Sequence, residues 1–160
     1  MQAITHFLVG IIIQSLFINF SPPYNIFLII VIAFFSHFLI DCIAKITYHL
    51  KDPQPHDKFW VLYHIIIFTA SAIVLVYFWK PFWWGMGVAV LIDIYDWIII
   101  RGIRKLKKNP LWLQGYEMHP LIDKFREKFF AWLPDWNEKR YAVVPEAILI
   151  LALLVIMYLI

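Results

Sequence analysis

One stretch of the chain indicates the fold class: NIFLIIVIAFFSHFLIDCIAKIT, residues 25–47. It is long and apolar enough to cross the hydrocarbon core of a bilayer as a helix, which takes about 20 residues. It nevertheless carries His37 and Asp41, four residues apart and therefore on one face of that helix. Because a charge inside a membrane costs about 2.5–3.5 kcal/mol, such groups normally face inward and have partners. The stretch predicts a membrane protein with a polar centre.

The rest of the chain extends this prediction. Of its 160 residues, 62% are hydrophobic and 19% are aromatic, which is typical of membrane proteins. Five runs are apolar enough to span: residues 3–20, 25–47, 59–79, 82–101 and 143–160. We therefore predict a single all-α membrane domain, built as a five-helix transmembrane bundle. The single cysteine, Cys42, excludes an intramolecular disulfide and a zinc site made of thiolates.

The longest segment outside the predicted spans is basic and amphipathic. Residues 102–140 contain apolar side chains at helical spacing from Met118 to Trp132, with Lys and Arg elsewhere around the helix. This pattern predicts a helix that lies in the membrane interface and ends by Pro134; a solvated helix that binds a partner is the alternative.

The basic residues also predict an orientation. Ten of the 14 Lys and Arg residues lie between Arg101 and Arg140, and three more flank the loop between the second and third spans. Both segments fall on one side of a five-span bundle, so the positive-inside rule places them and the N-terminus in the cytoplasm and the C-terminus outside. Basic residues that flank spans are explained by topology, so we expect no nucleic-acid partner.

The ionisable residues within the spans concentrate in the cytoplasmic half of the bundle. Seven groups belong to this layer: His6, His37, Asp41, His64, Asp93, Asp96 and Glu146. Asp93 and Asp96 share a helix face, as His37 and Asp41 do. We expect the two pairs to form one polar centre, although Asp41 and Asp93 as hydrogen-bonded links between helices remain an alternative.

Histidine and carboxylate ligands without thiolate suit Zn²⁺ first, and also Mn²⁺ or Fe²⁺. The predicted ligands are His6, His37, Asp41, His64, Asp93 and Asp96. A metal ion with an open position would activate water, and Asp93 or Asp96, if unligated, would act as general base. The remaining histidines, His49, His56 and His119, lie in or beside loops and are predicted to be solvated, while Glu146 near a helix end has no assigned role.

Two short motifs carry a family resemblance. THFLVG (residues 5–10) and SHFLID (residues 36–41) resemble the T-H-x-x-x-G and S-H-x-x-x-D elements of the predicted inner-membrane metal-dependent hydrolases of bacteria and archaea. The resemblance implies His6, His37 and Asp41 as metal-site residues. The family's L-P-D-x-D and H-R-G-x-T-H segments are missing, and LIDIYD (residues 91–96) is the nearest match to the first.

Together these features favour a metal-dependent hydrolase that acts at the cytoplasmic membrane face. Its partners would be membrane lipids and an amphiphilic small-molecule substrate, a lipid or a lipid-linked ester or phosphoester. Three alternatives remain open: a membrane carrier of metal ions or protons, a structural membrane subunit, and a haem-b electron-transfer protein with His37 and His64 as axial ligands.

Overall fold

The computed structural model describes residues 1–50, 53–107 and 115–160. Within these ranges the chain is helical and contains no strand, so the predicted all-α class is confirmed. In chain order the α-helices are α1 (Ala3–Phe17), α2 (Tyr24–Ile43), α3 (Lys58–Ala89), α4 (Leu91–Asp93), α5 (Arg101–Leu106), α6 (His119–Phe129) and α7 (Val143–Leu159). A π-helix (Ile94–Ile100) joins α4 to α5, and 3₁₀ turns follow α2 (Ala44–Ile46) and precede α7 (Arg140–Ala142).

Three of the helical segments described are long and apolar enough to cross a membrane: Tyr24–Ile46, Lys58–Ala89 and Arg140–Leu159. The fourth apolar helix, α1, is shorter than a spanning helix usually is. The predicted spans 59–79 and 82–101 follow one another without a loop, because α3 contains the first and the beginning of the second, with non-helical angles at Phe82 between them. The structure therefore shows three candidate spans where the sequence predicted five.

A bend divides α3 into two arms at the predicted boundary. Pro81 lacks a backbone N–H, and Phe82 has non-helical angles (φ −122°, ψ 21°). The side chain of Gln14 on α1 satisfies backbone groups on both sides of this bend. Its Nε2 donates to the Pro81 carbonyl at 2.8 Å, and its Oε1 accepts the Gly85 N–H, also at 2.8 Å. A buried polar side chain thus replaces helical hydrogen bonds that the bend removes.

Helix α1 packs against both arms of α3. The main buried cluster combines α1 residues with residues from each arm: Ile4, Phe7, Leu8, Ile11, Tyr63, Ile67, Val74 and Met86. Gly10 and Gly85 allow the closest approach, since a Cβ on either would collide with the backbone of the other. This close packing holds α1 among the longer helices and brings the residues after α3 towards the beginning of α1.

One side of helix α6 packs against helices α2 and α4. Ile122 is almost completely buried and shares a cluster with Cys42 on α2 and Ile92 on α4. Beside this buried position, Leu121, Phe125 and Phe129 are exposed. The predicted amphipathic helix is therefore present, and it ends at Phe129, before Pro134.

Candidate metal centre

Four side chains from three helices face one another at the junction of α2, α4 and α6. They are His37 and Asp41 on α2, Asp93 on α4 and His119 on α6. One ligand atom from each lies within 4.8 Å of the others, which is close enough for the group to hold a metal ion. Three of the four belong to the predicted ligand set, and His119 does not.

The distances within this group fit a small ion. His37 Nε2 lies 3.1 Å from Asp41 Oδ2 and 3.9 Å from Asp93 Oδ1, and His119 Nε2 lies 3.4 Å and 3.3 Å from the same two oxygens. A tetrahedral zinc ion with bonds of 2.0–2.1 Å separates its ligand atoms by about 3.3 Å. The four atoms therefore already stand close to the spacing that zinc requires, with the His37–Asp93 pair the widest.

A backbone hydrogen bond fixes the orientation of His37. Its Nδ1 lies 2.8 Å from the carbonyl oxygen of Ala89, the last residue of α3, so Nδ1 carries a proton and donates it to that carbonyl. Nε2 then points towards the carboxylates of Asp41 and Asp93. The ring is fully buried, and among the described residues Nε2 has no hydrogen-bond partner. This nitrogen and the two carboxylates are donor atoms that a metal ion could join.

Asp96 orients the second imidazole. Asp96 Oδ2 lies 2.6 Å from His119 Nδ1 and accepts the His119 backbone N–H at 2.8 Å, while the Met118 N–H donates to the same carboxylate at 2.9 Å. This leaves His119 Nε2 directed at Asp41 and Asp93. A carboxylate that holds the distal nitrogen of a metal-binding histidine is a common arrangement. Asp96 lies in the π-helix, a type of segment that occurs often at functional sites.

The charge of the group also indicates a cation site. Burial lowers the pKa of His119, which lies outside the candidate spans, but hydrogen bonds with Asp41, Asp93 and Asp96 raise it to about 10. Without metal the imidazole is therefore a cation among three carboxylates. A divalent ion would supply that positive charge and displace the proton.

His6 contacts two members of this group, His37 and Asp41. Its ring stacks on His37 with centroids 4.2 Å apart, and its Nε2 is 3.2 Å from Asp41 Oδ1 without hydrogen-bond geometry. The same oxygen accepts a hydrogen bond from the Met1 amino group at 2.7 Å. His6 thus contacts a candidate ligand, but it is not one of the four facing side chains.

The structure places His64 and Glu146 elsewhere. His64, expected as a ligand, has its Nδ1 2.8 Å from the Trp60 carbonyl oxygen, and its ring packs on the Trp60 indole. Glu146 is buried and accepts hydrogen bonds from the Tyr63 hydroxyl and, at 3.3 Å, from the Gln2 backbone N–H. His64 is therefore a local helix contact, and Glu146 links α7 to α1 and α3. His49 and His56 are exposed, as expected.

His119 is the member of this group that the sequence analysis predicted to be solvated. The signal that could have found it is the pair His119–Pro120. Proline is favoured in the first turn of a helix, so the pair places His119 at the start of α6. From there His119 and Ile122 share a face, and Ile122 is the buried residue of α6.

The group combines an enclosed side with an accessible one. His37 is fully buried and the Asp41 side chain is 7% exposed, whereas the side chains of Asp93 and His119 are each 28% exposed. Solvent therefore reaches the group from the side of Asp93 and His119. In comparisons with known proteins, no family model, curated protein or solved structure matches this chain.

Proposed function

We propose that the chain holds one divalent metal ion, most readily Zn²⁺, with Mn²⁺ or Fe²⁺ as alternatives. The ligands are His37 Nε2, His119 Nε2, Asp41 Oδ2 and, more loosely, Asp93 Oδ1. One observation carries the proposal: two imidazoles, each with its other nitrogen fixed, direct Nε2 at two carboxylates at 3.1–3.9 Å. Two histidines and two carboxylates without sulfur form a donor set that these ions accept.

The proposed activity is hydrolysis of an ester or phosphoester. A bound metal ion polarises the ester and lowers the pKa of water. Asp93 is the best base in the group because it is partly exposed and is the farther carboxylate from His37. It would take the proton of the attacking water, and that proton would pass to the departing alkoxide as the ester bond breaks. His37, Asp41 and His119 would then remain as three protein ligands, the number typical of catalytic zinc sites.

Asp96, expected from the sequence as a second catalytic carboxylate, has a different role in this proposal. Its oxygens are occupied by the N–H groups of Met118 and His119 and by the His119 ring. We assign it the orientation of His119.

The substrate is proposed to reach the site from the membrane interface. The accessible side of the group adjoins α6, whose exposed Leu121, Phe125 and Phe129 suit the boundary between headgroups and acyl chains. An amphiphile could keep its chain in that boundary while its ester approaches Asp93 and His119.

The membrane arrangement that we propose has five crossings, formed by α1, α2, the two arms of α3 with its continuation, and α7. The contacts of α1 with both arms support a reversal of the chain at Phe82. Most Lys and Arg residues lie in the α5–α6 region and the loop after α2, so we place those segments and the N-terminus in the cytoplasm of a cell with this protein in its inner membrane.

A structural metal site is the second candidate function. Four protein ligands that close the coordination shell are typical of structural zinc, and the group offers four. The two functions differ in one measurable respect, because a structural ion leaves no position for water and supports no hydrolysis.

The test begins with metal content. The full chain, purified in detergent without chelator, is analysed by elemental mass spectrometry beside His37→Ala and the matched control His64→Ala. We expect about one ion per chain in the parent and in His64→Ala, and none in His37→Ala. No metal in the parent, or equal loss in both variants, would refute the site.

Activity is then measured on the metal-loaded chain with fluorogenic short-chain esters and phosphoesters presented in micelles. Hydrolysis should stop on chelation, return with zinc, and fall by at least about 100-fold in Asp93→Asn, which lacks the base. Metal binding without any hydrolysis across both substrate types would refute the hydrolase and favour the structural site.

A further inference from the structure

Arg101 differs from the other three arginines of the chain. Arg104 pairs with Glu117, Arg126 pairs with Asp123, and Arg140 pairs with Asp57. In the described part of the chain no carboxylate pairs with Arg101, whose side chain is exposed. Its guanidinium therefore has donors that are available to a ligand.

The indole of Trp97 connects this guanidinium to the candidate metal centre. Arg101 Cζ lies 3.3 Å from the centroid of the Trp97 ring, and that ring meets the His119 imidazole edge-on at 6.0 Å. Stacking on the indole holds the guanidinium plane while its edge stays open to solvent. The free cation is thus fixed one aromatic ring away from a proposed metal ligand, on the accessible side of the site.

An apolar surface leads away from the same point. Leu91, Ile94 and Ile98 precede Arg101 on α4 and the π-helix, and all three are exposed. In a membrane these side chains would face acyl chains, with Arg101 at the end of the segment where the basic residues begin. A ligand that contacts both Arg101 and these three apolar side chains would be anionic at one end and apolar along the rest.

From this arrangement we propose that the substrate is a phosphate-bearing amphiphile and that Arg101 binds its phosphate. The inference rests on the proposed metal-dependent hydrolase and names the substrate class of that site. The planar guanidinium donates two parallel hydrogen bonds to phosphate oxygens, while the chains lie along Leu91, Ile94 and Ile98. A neutral carboxylic ester would leave the guanidinium donors without a partner.

The experiment compares two probes that differ only in the phosphate. Dioctanoyl phosphatidic acid and dioctanoylglycerol are titrated by calorimetry into the zinc-loaded full chain in uncharged detergent. The variants are Arg101→Gln, Arg101→Lys and, as a control for net charge, Lys124→Gln on the exposed side of α6. Zinc content is measured on every sample.

The expected result is selective for phosphate. Phosphatidic acid should bind at least about tenfold tighter than dioctanoylglycerol, and Arg101→Gln should weaken it by about 10- to 100-fold, the value of a charge-assisted pair. Arg101→Lys should recover only part of this loss, because an ammonium lacks the planar fork. Lys124→Gln should change the affinity by less than about twofold, as expected of a distant exposed charge, and zinc content should stay constant.

The contrary results are separable from failure of the metal site. The inference is refuted, and the metal centre stands, if zinc binds but phosphatidic acid binds no tighter than dioctanoylglycerol. The same holds if Arg101→Gln and Lys124→Gln weaken the binding of phosphatidic acid equally. Loss of zinc in Arg101→Gln would also overturn it, since Arg101 would then support the site. Absence of zinc from the parent chain would refute the proposed function itself.

Discussion

Replacing Asp96 with asparagine tests whether His119 is held in place as a metal ligand. Asp96 accepts N–H groups from Met118 and His119 at 2.9 Å and 2.8 Å and contacts His119 Nδ1 at 2.6 Å. Asparagine keeps the shape and one acceptor oxygen, but it loses the charge and turns an amide NH₂ towards N–H donors. The imidazole should therefore lose its fixed orientation while the helices remain packed.

The expected magnitude follows from this geometry. Loss of a carboxylate that orients a ligating histidine costs about 10- to 100-fold in metal affinity, or about 1.4–2.7 kcal/mol. Zinc affinity is measured by competition with a chromophoric chelator. Asp123→Asn serves as the control because Asp123 is an exposed carboxylate on α6 that pairs with Arg126, and it should change the affinity by less than about twofold.

A double-mutant cycle makes the test specific to His119. In a His119→Ala background, Asp96→Asn should have little further effect, because the ring that it orients has gone. Affinity within about twofold of the parent for Asp96→Asn alone would refute the assigned role. Full additivity of the two substitutions would refute it as well.

Three further predictions concern packing and the ion. Gly85→Ala should destabilise the protein by about 1–3 kcal/mol in thermal unfolding, because the added Cβ would meet the backbone of α1. Gly87→Ala, where the Cβ would enter open space, should not destabilise it, and equal effects of the two variants would contradict the close packing. Tyr63→Phe should lower the free energy of unfolding by about 1–3 kcal/mol, because it removes the hydroxyl that donates to the buried Glu146 of α7. Tyr158→Phe, at an exposed position, should leave that free energy unchanged, and similar values for the two variants would argue against this link. Zinc at 100 times its dissociation constant should stabilise the parent by about 2.7 kcal/mol and leave His37→Ala unchanged, so an equal response in both would place zinc elsewhere.

The sequence predicted the helices better than it predicted where they end. Long apolar runs decide the helical class, and Lys80–Pro81 indicated the break that the structure places at Phe82. The sequence predicted two spans separated at this break, whereas in the structure the two arms of α3 meet at a bend without a loop. Gln14 satisfies backbone groups on both sides of that bend. A tertiary contact from α1 is not visible in the local pattern.

The candidate site shows the same limit. Spacing correctly paired His37 with Asp41 and Asp93 with Asp96 on common faces, because helical geometry sets those relations within a few residues. It could not show that Asp93 and Asp96 contact opposite nitrogens of one ring, since that ring, His119, comes from a helix more than twenty residues later. It also could not exclude His64, whose contact with Trp60 lies within its own helix.

The most direct test of the metal centre is X-ray absorption spectroscopy at the zinc K-edge on the zinc-loaded full chain. We predict nitrogen and oxygen ligands at about 2.0–2.1 Å with two imidazoles and no sulfur. His119→Ala should leave one imidazole, and His64→Ala should leave both. A sulfur ligand, or an imidazole number that does not fall in His119→Ala, would contradict the proposed centre.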